Sequence, residues 1–155
     1  SHLKNLKNLY LHDTYVQTIS KNVLPSSLQT LTFGRKYNLA INENVLPNSL
    51  QTLTFGINFN QIIGVNVLPN SLQTLNFSVY YNQIFGVNVL PNSLQTLTIG
   101  FEYTQIISVN ALPSSLKVIN YFYLYTRDKK RLIIPLVFQN IVKYINKSNY
   151  KTCAK

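Results

Sequence analysis

The sequence predicts an α/β, mostly β repeat solenoid in which short parallel strands stack into one sheet, and three observations predict it. The segment Val-Leu-Pro-x-Ser-Leu-Gln-Thr-Leu begins at Val23, Val45, Val67 and Val89, always 22 residues apart. Apolar and polar residues alternate inside each segment, which is the period of a strand. A strand this short cannot bury its apolar face alone, so successive units must stack on one another.

The repeat frame divides most of the chain into coils. Four clear coils cover residues 23–44, 45–66, 67–88 and 89–110. A degenerate first coil at residues 1–22 precedes them, and a partial coil at residues 111–123 follows them. We therefore expect six parallel strands, with the right-handed winding that parallel crossover connections adopt.

Alternation within each strand predicts which side chains form the core. Leu31 and Phe33 should point inward, while Thr30 and Thr32 should point outward. The apolar residues recur in columns: Leu28, Leu50, Leu72, Leu94 and Leu116; Phe33, Phe55, Phe77 and Ile99; Tyr37, Phe59, Tyr81 and Tyr103. The return path of each coil is expected to cover the inner face of the sheet.

Two polar columns are as regular as the apolar ones: Asn22, Asn44, Asn66, Asn88 and Asn110, and Ser27, Ser49, Ser71, Ser93 and Ser115. We expect a structural role for both. Asn side chains can satisfy backbone groups that irregular turns leave unpaired, and Ser after Pro can bond locally to the backbone.

The C-terminal segment, residues 124–155, is predicted to be a basic cap that contains an amphipathic helix. Pro135 suits the first turn of such a helix. Its apolar face would consist of Val137, Phe138, Ile141, Val142 and Ile145. The open end of a solenoid exposes apolar residues, which favours a capping role, and a helix lying on a membrane surface is the alternative.

The repeat unit Leu-Pro-x-Ser-Leu-x-x-Leu-x-Phe-Gly, followed by an aromatic-Asn-Gln segment as at Phe59–Gln61, resembles the FNIP repeat of the leucine-rich-repeat superfamily. The resemblance covers residues 1–123 and departs from the pattern at Ser78 and Thr104. It implies a leucine-rich-repeat-like coil. Members of the family often join such repeats to F-box, ankyrin or kinase domains, which would imply substrate recognition in ubiquitin ligation.

Groups that carry catalysis or bind metals are scarce. The chain has two His, four acidic residues and one Cys, and His2 and His12 lack the spacing of a zinc site. We therefore expect no enzymatic activity, no metal and no cofactor. Cys153 has no possible intramolecular partner, and the longest apolar run, residues 132–138, is too short to cross a bilayer. These features favour a soluble, cytoplasmic protein.

A protein-binding site is predicted just after the strands, where the sequence varies. The two positions after the Gly column differ in every coil while their neighbours repeat. They are Arg35, Lys36, Ile57, Asn58, Val79, Tyr80, Phe101 and Glu102. Their mixture of apolar, aromatic and charged groups is typical of an interface. Relaxed constraint on a loop tip would give the same variation.

The charge distribution suggests a second class of partner. The net charge is +10, and residues 117–155 hold nine basic side chains and one acid. Nucleic acid or an anionic surface could bind through Lys117, Arg127, Lys129, Lys130, Arg131, Lys143 and Lys147. A solubilising terminus on a neutral body is the other interpretation.

The outward Thr-x-Thr array of the strands suggests ice binding as a remote alternative, although Thr simply suits exposed strands. For the oligomeric state, we expect a monomer or a weak end-to-end dimer through residues 1–22, because the weak first coil covers its end of the solenoid poorly.

Overall fold

The computed structural model describes residues 5–123 and 136–146. In these residues one sheet contains seven parallel strands in chain order. The strands are β1 (Asn8–Tyr10), β2 (Thr30–Thr32), β3 (Thr52–Thr54), β4 (Thr74–Asn76), β5 (Thr96–Ile99), β6 (Val118–Tyr123) and β7 (Val142–Asn146). Short 3-10 helices lie at Val109–Ala111 and Leu136–Ile141. The predicted repeat solenoid with a parallel sheet is confirmed.

The strands pair at an offset of one repeat. Leu9, Leu31, Leu53, Leu75 and Leu97 lie side by side across β1 to β5. The four of these in β2 to β5 are completely buried, while the Thr residues that flank them in β2 and β3 are half-buried on the outer face. The inward and outward positions inferred from alternation are therefore confirmed.

Aromatic side chains form two stacks that run along the solenoid. Phe33, Phe55 and Phe77 lie with ring centroids 5.3 Å apart. Beside them, Tyr37, Phe59, Tyr81 and Tyr103 repeat at 6.1 to 6.4 Å. Every ring in both stacks is at most 2% exposed. The core is thus continuous from coil to coil, as the columns of the sequence predict, and each ring contacts its counterpart in the next coil.

The predicted C-terminal amphipathic helix is wrong. Leu136–Ile141 forms a 3-10 helix, and Val142–Asn146 forms β7, which pairs in parallel with β6. Ile119 lies opposite Val142, an offset of 23 residues instead of 22. The β-branched Val142 and Ile145 suit a strand, and the edge of β6 supplies its backbone hydrogen-bonding partners.

The segment nevertheless covers the end of the solenoid, because Phe138, Ile141 and Val142 pack against the core. It does so by adding a seventh strand where six were expected. The proposed boundary between solenoid and cap at residue 123/124 stays a prediction.

The Asn column acts through its backbone. Asn22, Asn44, Asn66 and Asn88 adopt left-handed conformations with φ between 62° and 66°. Asn is among the few residues that tolerate this region, so the column marks a tight bend in each coil. Asn110 lies instead in the 3-10 helix Val109–Ala111.

The Ser column joins neighbouring coils instead of bonding locally. Ser49 Oγ donates to the carbonyl oxygen of Leu28 at 2.6 Å, and Ser71 Oγ donates to that of Leu50 at the same distance. Ser27, Ser93 and Ser115 repeat this bond to their preceding coils. Each bond satisfies a carbonyl group at the entrance to the sheet, so the role of the column is structural, as expected.

Candidate protein-recognition edge

Each coil bends immediately after its strand, in a four-residue turn. The backbone N–H of Tyr37 donates to the carbonyl of Gly34, and that of Phe59 donates to the carbonyl of Gly56, both at 3.2 Å. A Cβ on Gly56 would overlap the carbonyl oxygen of Gly34 in the preceding coil. The glycines therefore allow neighbouring turns to approach closely. The two variable residues of each coil lie at the centre of its turn.

Backbone hydrogen bonds connect one turn to the next. The N–H of Asn58 donates to the carbonyl of Arg35 at 3.2 Å, and the N–H of Tyr80 donates to the carbonyl of Ile57 at 3.3 Å. The same bond joins Glu102 to Val79. The turns therefore extend the sheet as a ladder and are spaced like its strands, about 4.8 Å apart.

All eight variable residues are brought together by this ladder, which we name the turn edge: Arg35, Lys36, Ile57, Asn58, Val79, Tyr80, Phe101 and Glu102. The first turn position forms a half-buried apolar row of Ile57, Val79 and Phe101. At the second position Lys36 and Asn58 are exposed, and Tyr80 is 51% exposed. The turn edge therefore presents an apolar row beside a row of mixed polar and aromatic side chains.

The N-terminal end of the turn edge contains a polar cluster that the sequence did not single out. Asp13 Oδ1 accepts hydrogen bonds from the Tyr10 hydroxyl at 2.7 Å and from the backbone N–H of Arg35 at 3.0 Å. These two bonds lower the pKa of the Asp13 carboxyl, and the bond to Asp13 raises the pKa of Tyr10. Asp13 thus stays ionised and fixes the first turn against the second.

A ladder of amide side chains supports the turn edge from the following segment. The Oδ1 atoms of Asn38, Asn60 and Asn82 each accept the backbone N–H one coil further on, at 2.9 Å. Gln61 Nε2 and Gln83 Nε2 donate to the same oxygens, at 3.0 and 3.1 Å. Repetition of Asn next to the buried aromatic column was the signal in the sequence for this ladder. The bonds hold the spacing between coils beside the variable turns.

The predicted anion-binding residues are described only in part. Lys117 is exposed, and its Nζ donates to Gln95 Oε1 at 3.1 Å. Lys143 is exposed on β7, where it pairs with Asn120 of β6. Asn120 follows Lys117 by three residues, which is about 10 Å along the strand. Arg127, Lys129, Lys130, Arg131 and Lys147 lie outside the described residues. The structure therefore does not bring these two lysines into one cluster.

The outward Thr array is less uniform than the sequence pattern suggests. Asn76 interrupts it and donates from Nδ2 to Thr54 Oγ1 at 3.1 Å. Thr98 is only 7% exposed, and its hydroxyl accepts a bond from Asn120 Nδ2 at 3.4 Å. Hydroxyl groups of this row are thus already engaged within the sheet, and ice binding stays a remote prediction.

Sequence reasoning missed an exposed apolar surface on the return path, which we name the Ile/Val face. It consists of Ile62, Val65, Ile84, Val87, Ile106 and Val109. The three Ile are 64–70% exposed and the three Val 46–53% exposed. The signal was the adjacent pair Ile62–Ile63: in extended backbone only one of two neighbours can point inward, and Ile63 is the buried one.

Within residues 5–123 and 136–146 there is no group of three or more His, Cys, Asp or Glu side chains that could hold a metal ion. The same part of the chain contains no helix that is long and apolar enough to span a bilayer.

Comparison with known proteins agrees with this architecture. The family described as FNIP Repeat matches residues 4–36, 37–80 and 81–120. No curated protein sequence resembles the chain significantly. Among solved structures, the protein CroV588, described as a novel circular LRR protein structure, is 32% identical with a TM-score of 0.55. The match covers 93% of this chain and 28% of that one. The chain belongs to the FNIP repeat family.

Proposed function

We propose that the chain is a non-enzymatic protein-recognition module that binds its partner through the turn edge. The observation that carries this proposal is the contrast within each coil. The strand and core positions repeat, whereas the two central turn residues differ in coils that are otherwise nearly identical. Variable side chains on a rigid repeat are a common way to build a specific binding surface.

The chemistry of the turn edge supports the proposal. Tyr80 and Arg35 are of the residue types that most often contribute strongly to binding at protein interfaces. The half-buried row of Ile57, Val79 and Phe101 offers apolar contact next to them. Because the turns are held by backbone hydrogen bonds on both sides, little conformational freedom is lost on binding.

The family resemblance suggests the context in which such a module acts. We infer that it is the substrate-binding part of a larger protein of the F-box type, in the cytoplasm. The chain spans 28% of the length of the similar solved chain, which is compatible with a module of a larger assembly.

The experiment is quantitative affinity capture from a eukaryotic cell extract. The intact chain is compared with the variant Lys36→Ser, Asn58→Ser, Tyr80→Ser, whose three positions are exposed and should not affect folding. We expect at least one protein to be recovered about tenfold less with the variant, since loss of a central aromatic contact costs about 1–2 kcal/mol or more.

A matched control carries Asn48→Ser, Asn70→Ser and Asn92→Ser, three exposed positions at the opposite end of the strands. It should recover the same proteins as the intact chain. If the turn-edge variant also recovers an unchanged set, the turn edge is not the binding site.

A second candidate function is binding of nucleic acid or an anionic surface by the C-terminal segment. The observation that favours it is the concentration of nine of the fourteen basic side chains in residues 117–155. Phosphate contacts release counterions, so binding should weaken steeply as salt is raised. A gel-shift titration tests this directly, and the absence of a shift at low salt would rule it out.

A further inference from the structure

The Ile/Val face lies on the return path, about half a repeat after the strands. Its six side chains occupy two columns, one of Ile and one of Val, over coils 45–66, 67–88 and 89–110. Together they expose roughly 600 Å² of apolar surface, which is the upper end for the largest patch on a monomeric protein. Patches of this size mark interaction sites.

The face has defined limits. In the two preceding coils the Ile column continues as Thr18 and Ala40, and the Val column continues as Lys21 and Glu43. Asn66 and Asn88, both exposed, follow the Val column directly. The apolar surface therefore begins at the coil of residues 45–66 and carries a polar rim on that side and along the Val column, which is the anatomy of an interface.

Glycines separate the two columns in the middle of the face. Gly64 stands between Ile62 and Val65, and Gly86 stands between Ile84 and Val87. With no side chain at these positions, another molecule can approach the backbone closely between the two columns.

The arrangement is also symmetric about its middle coil. The coil with Ile84 and Val87 has one equivalent coil on each side. A two-fold axis through this middle coil would place Ile62 and Val65 of one copy against Ile106 and Val109 of the other. Such a contact is self-complementary and closes as a dimer.

The charges around the face favour an uncharged partner. Residues 44–116 contain one charged side chain, Glu102, which lies on the turn edge. In the sequence, Lys and Arg occur only within residues 4–36 and 117–155. Glu43 borders the face one coil before Val65, but the six positions of the face are uncharged, so no like charge within the face opposes a second copy of it.

We propose that the Ile/Val face is the docking site for a second copy of this chain, packed back to back and antiparallel about a two-fold axis through the coil of residues 67–88. Two such faces bury roughly 1,200 Å² in total, the lower end for a specific interface. The dimer is therefore weak, with a dissociation constant on the order of micromolar. Both turn edges stay free for a partner.

Sedimentation equilibrium over a concentration series tests the proposal with the purified chain. The intact chain should associate to a dimer. The variant Ile84→Asn, Val87→Asn should weaken the dimer at least tenfold, while its circular dichroism spectrum and melting temperature stay close to those of the intact chain. Tyr80→Ser, an equally exposed change in the same coil, should leave association unchanged. Added salt should not weaken the dimer, since no ion pair holds it.

A cross-linking arm tests the orientation and does not depend on the first variant. In a Cys153→Ser background, Val65→Cys on one copy and Val109→Cys on another should form a disulfide when mixed, and each alone should form much less. A chain that stays monomeric at all concentrations overturns the proposal. So does a dimer that survives Ile84→Asn, Val87→Asn but is lost on changing the exposed Val16 of the first coil to Asn, which would be the end-to-end contact.

Discussion

The side-chain oxygen of Asn60 accepts a hydrogen bond from the backbone N–H of Asn82, the residue one complete coil later, at 2.9 Å. The same oxygen also accepts from Gln83 Nε2 at 3.1 Å. The side-chain oxygen of the half-buried Asn60 thus accepts the bonds that a neighbouring strand would otherwise accept, on a path that has no regular secondary structure. The sheet holds the coils together on one side, and this ladder holds them together beyond the turns.

Replacing Asn60 by Leu should lower the free energy of unfolding by about 1–3 kcal/mol, because a half-buried N–H and a side-chain amide lose their acceptor. Asn60→Asp keeps the acceptor and should cost clearly less. Urea unfolding of both variants provides the measurement. Equal losses in the two variants would show that the acceptor is not what matters at this position.

The left-handed Asn residues allow a comparison within one column. Asn66→Ala should destabilise by about 1 kcal/mol, because Ala carries a steric penalty at a φ of 63°, whereas Asn66→Gly should cost little. Asn110→Ala is the matched control, since Asn110 is not in the left-handed region. Thermal melts should rank Asn66→Ala below the other two. Equal effects of Ala at positions 66 and 110 would contradict this.

The aromatic stack of Tyr37, Phe59, Tyr81 and Tyr103 contains three buried hydroxyl groups whose burial does not stabilise the fold. Among the residues that the structure describes, the buried hydroxyls of Tyr37, Tyr81 and Tyr103 have no hydrogen-bond partner, whereas the Tyr121 hydroxyl donates to the carbonyl of Tyr103 at 3.4 Å. Tyr81→Phe should therefore preserve or raise stability, as Phe59 already fills the same column. Tyr121→Phe should lose about 1 kcal/mol. Urea titrations in which Tyr81→Phe is the more damaging change would contradict this.

Burial also makes the fold sensitive to alkali. It raises the pKa of Tyr37 to about 12, above the ordinary value of 10.0, and raises the pKa values of Tyr81 and Tyr103 as well. The native state then holds these protons more tightly than the unfolded state. Stability should be fully present below pH 10.0 and fall as the pH rises through the raised values.

The variant Tyr37→Phe, Tyr81→Phe should lose less stability than the intact chain between about pH 9 and pH 11. Urea midpoints at the two pH values measure this difference. An identical alkaline loss in both proteins would assign the effect to other groups.

The C-terminal strand should stabilise the repeats. Deleting residues 133–155 removes β7 together with the apolar contacts of Phe138, Ile141 and Val142, and leaves the edge of β6 unpaired. Each buried side chain of this type contributes roughly 1.5–3 kcal/mol when fully buried, so the melting temperature should fall sharply or the chain should aggregate. Lys129→Ser, Lys130→Ser, Arg131→Ser should have almost no effect. A truncated chain that melts like the intact one would exclude a capping role.

The sequence was sufficient to predict the core because equivalent strand positions recur every 22 residues and therefore point to the same side of the sheet in every coil. Once Leu31 is assigned inward, Leu53, Leu75 and Leu97 must point inward too, and all three are completely buried. The position of the turn edge followed from the same frame. Its use as a binding site does not follow from the frame, because a variable surface loop has the same sequence signature whether or not it is bound.

The C-terminal strand could not be predicted because its cause is non-local. Phe138, Ile141, Val142 and Ile145 fit the spacing of a helical face as well as an extended segment. The pairing of Val142–Asn146 with β6 decides between the two, and its 23-residue offset hides it from a search at the repeat period. Similarly, the exposure of Ile62 and Ile84 depends on the direction of each return path, which hydrophobicity alone does not define.

Photo-cross-linking from the turn edge tests most directly whether it is the place where another protein binds. A benzophenone amino acid replaces Tyr80, and the same group placed at the exposed Asn70 in the same coil serves as the control. After irradiation in a eukaryotic cell extract, we expect a discrete adduct from position 80 that is absent from position 70. Adducts that are the same from both positions, or that form from position 70 alone, would contradict recognition through the turn edge.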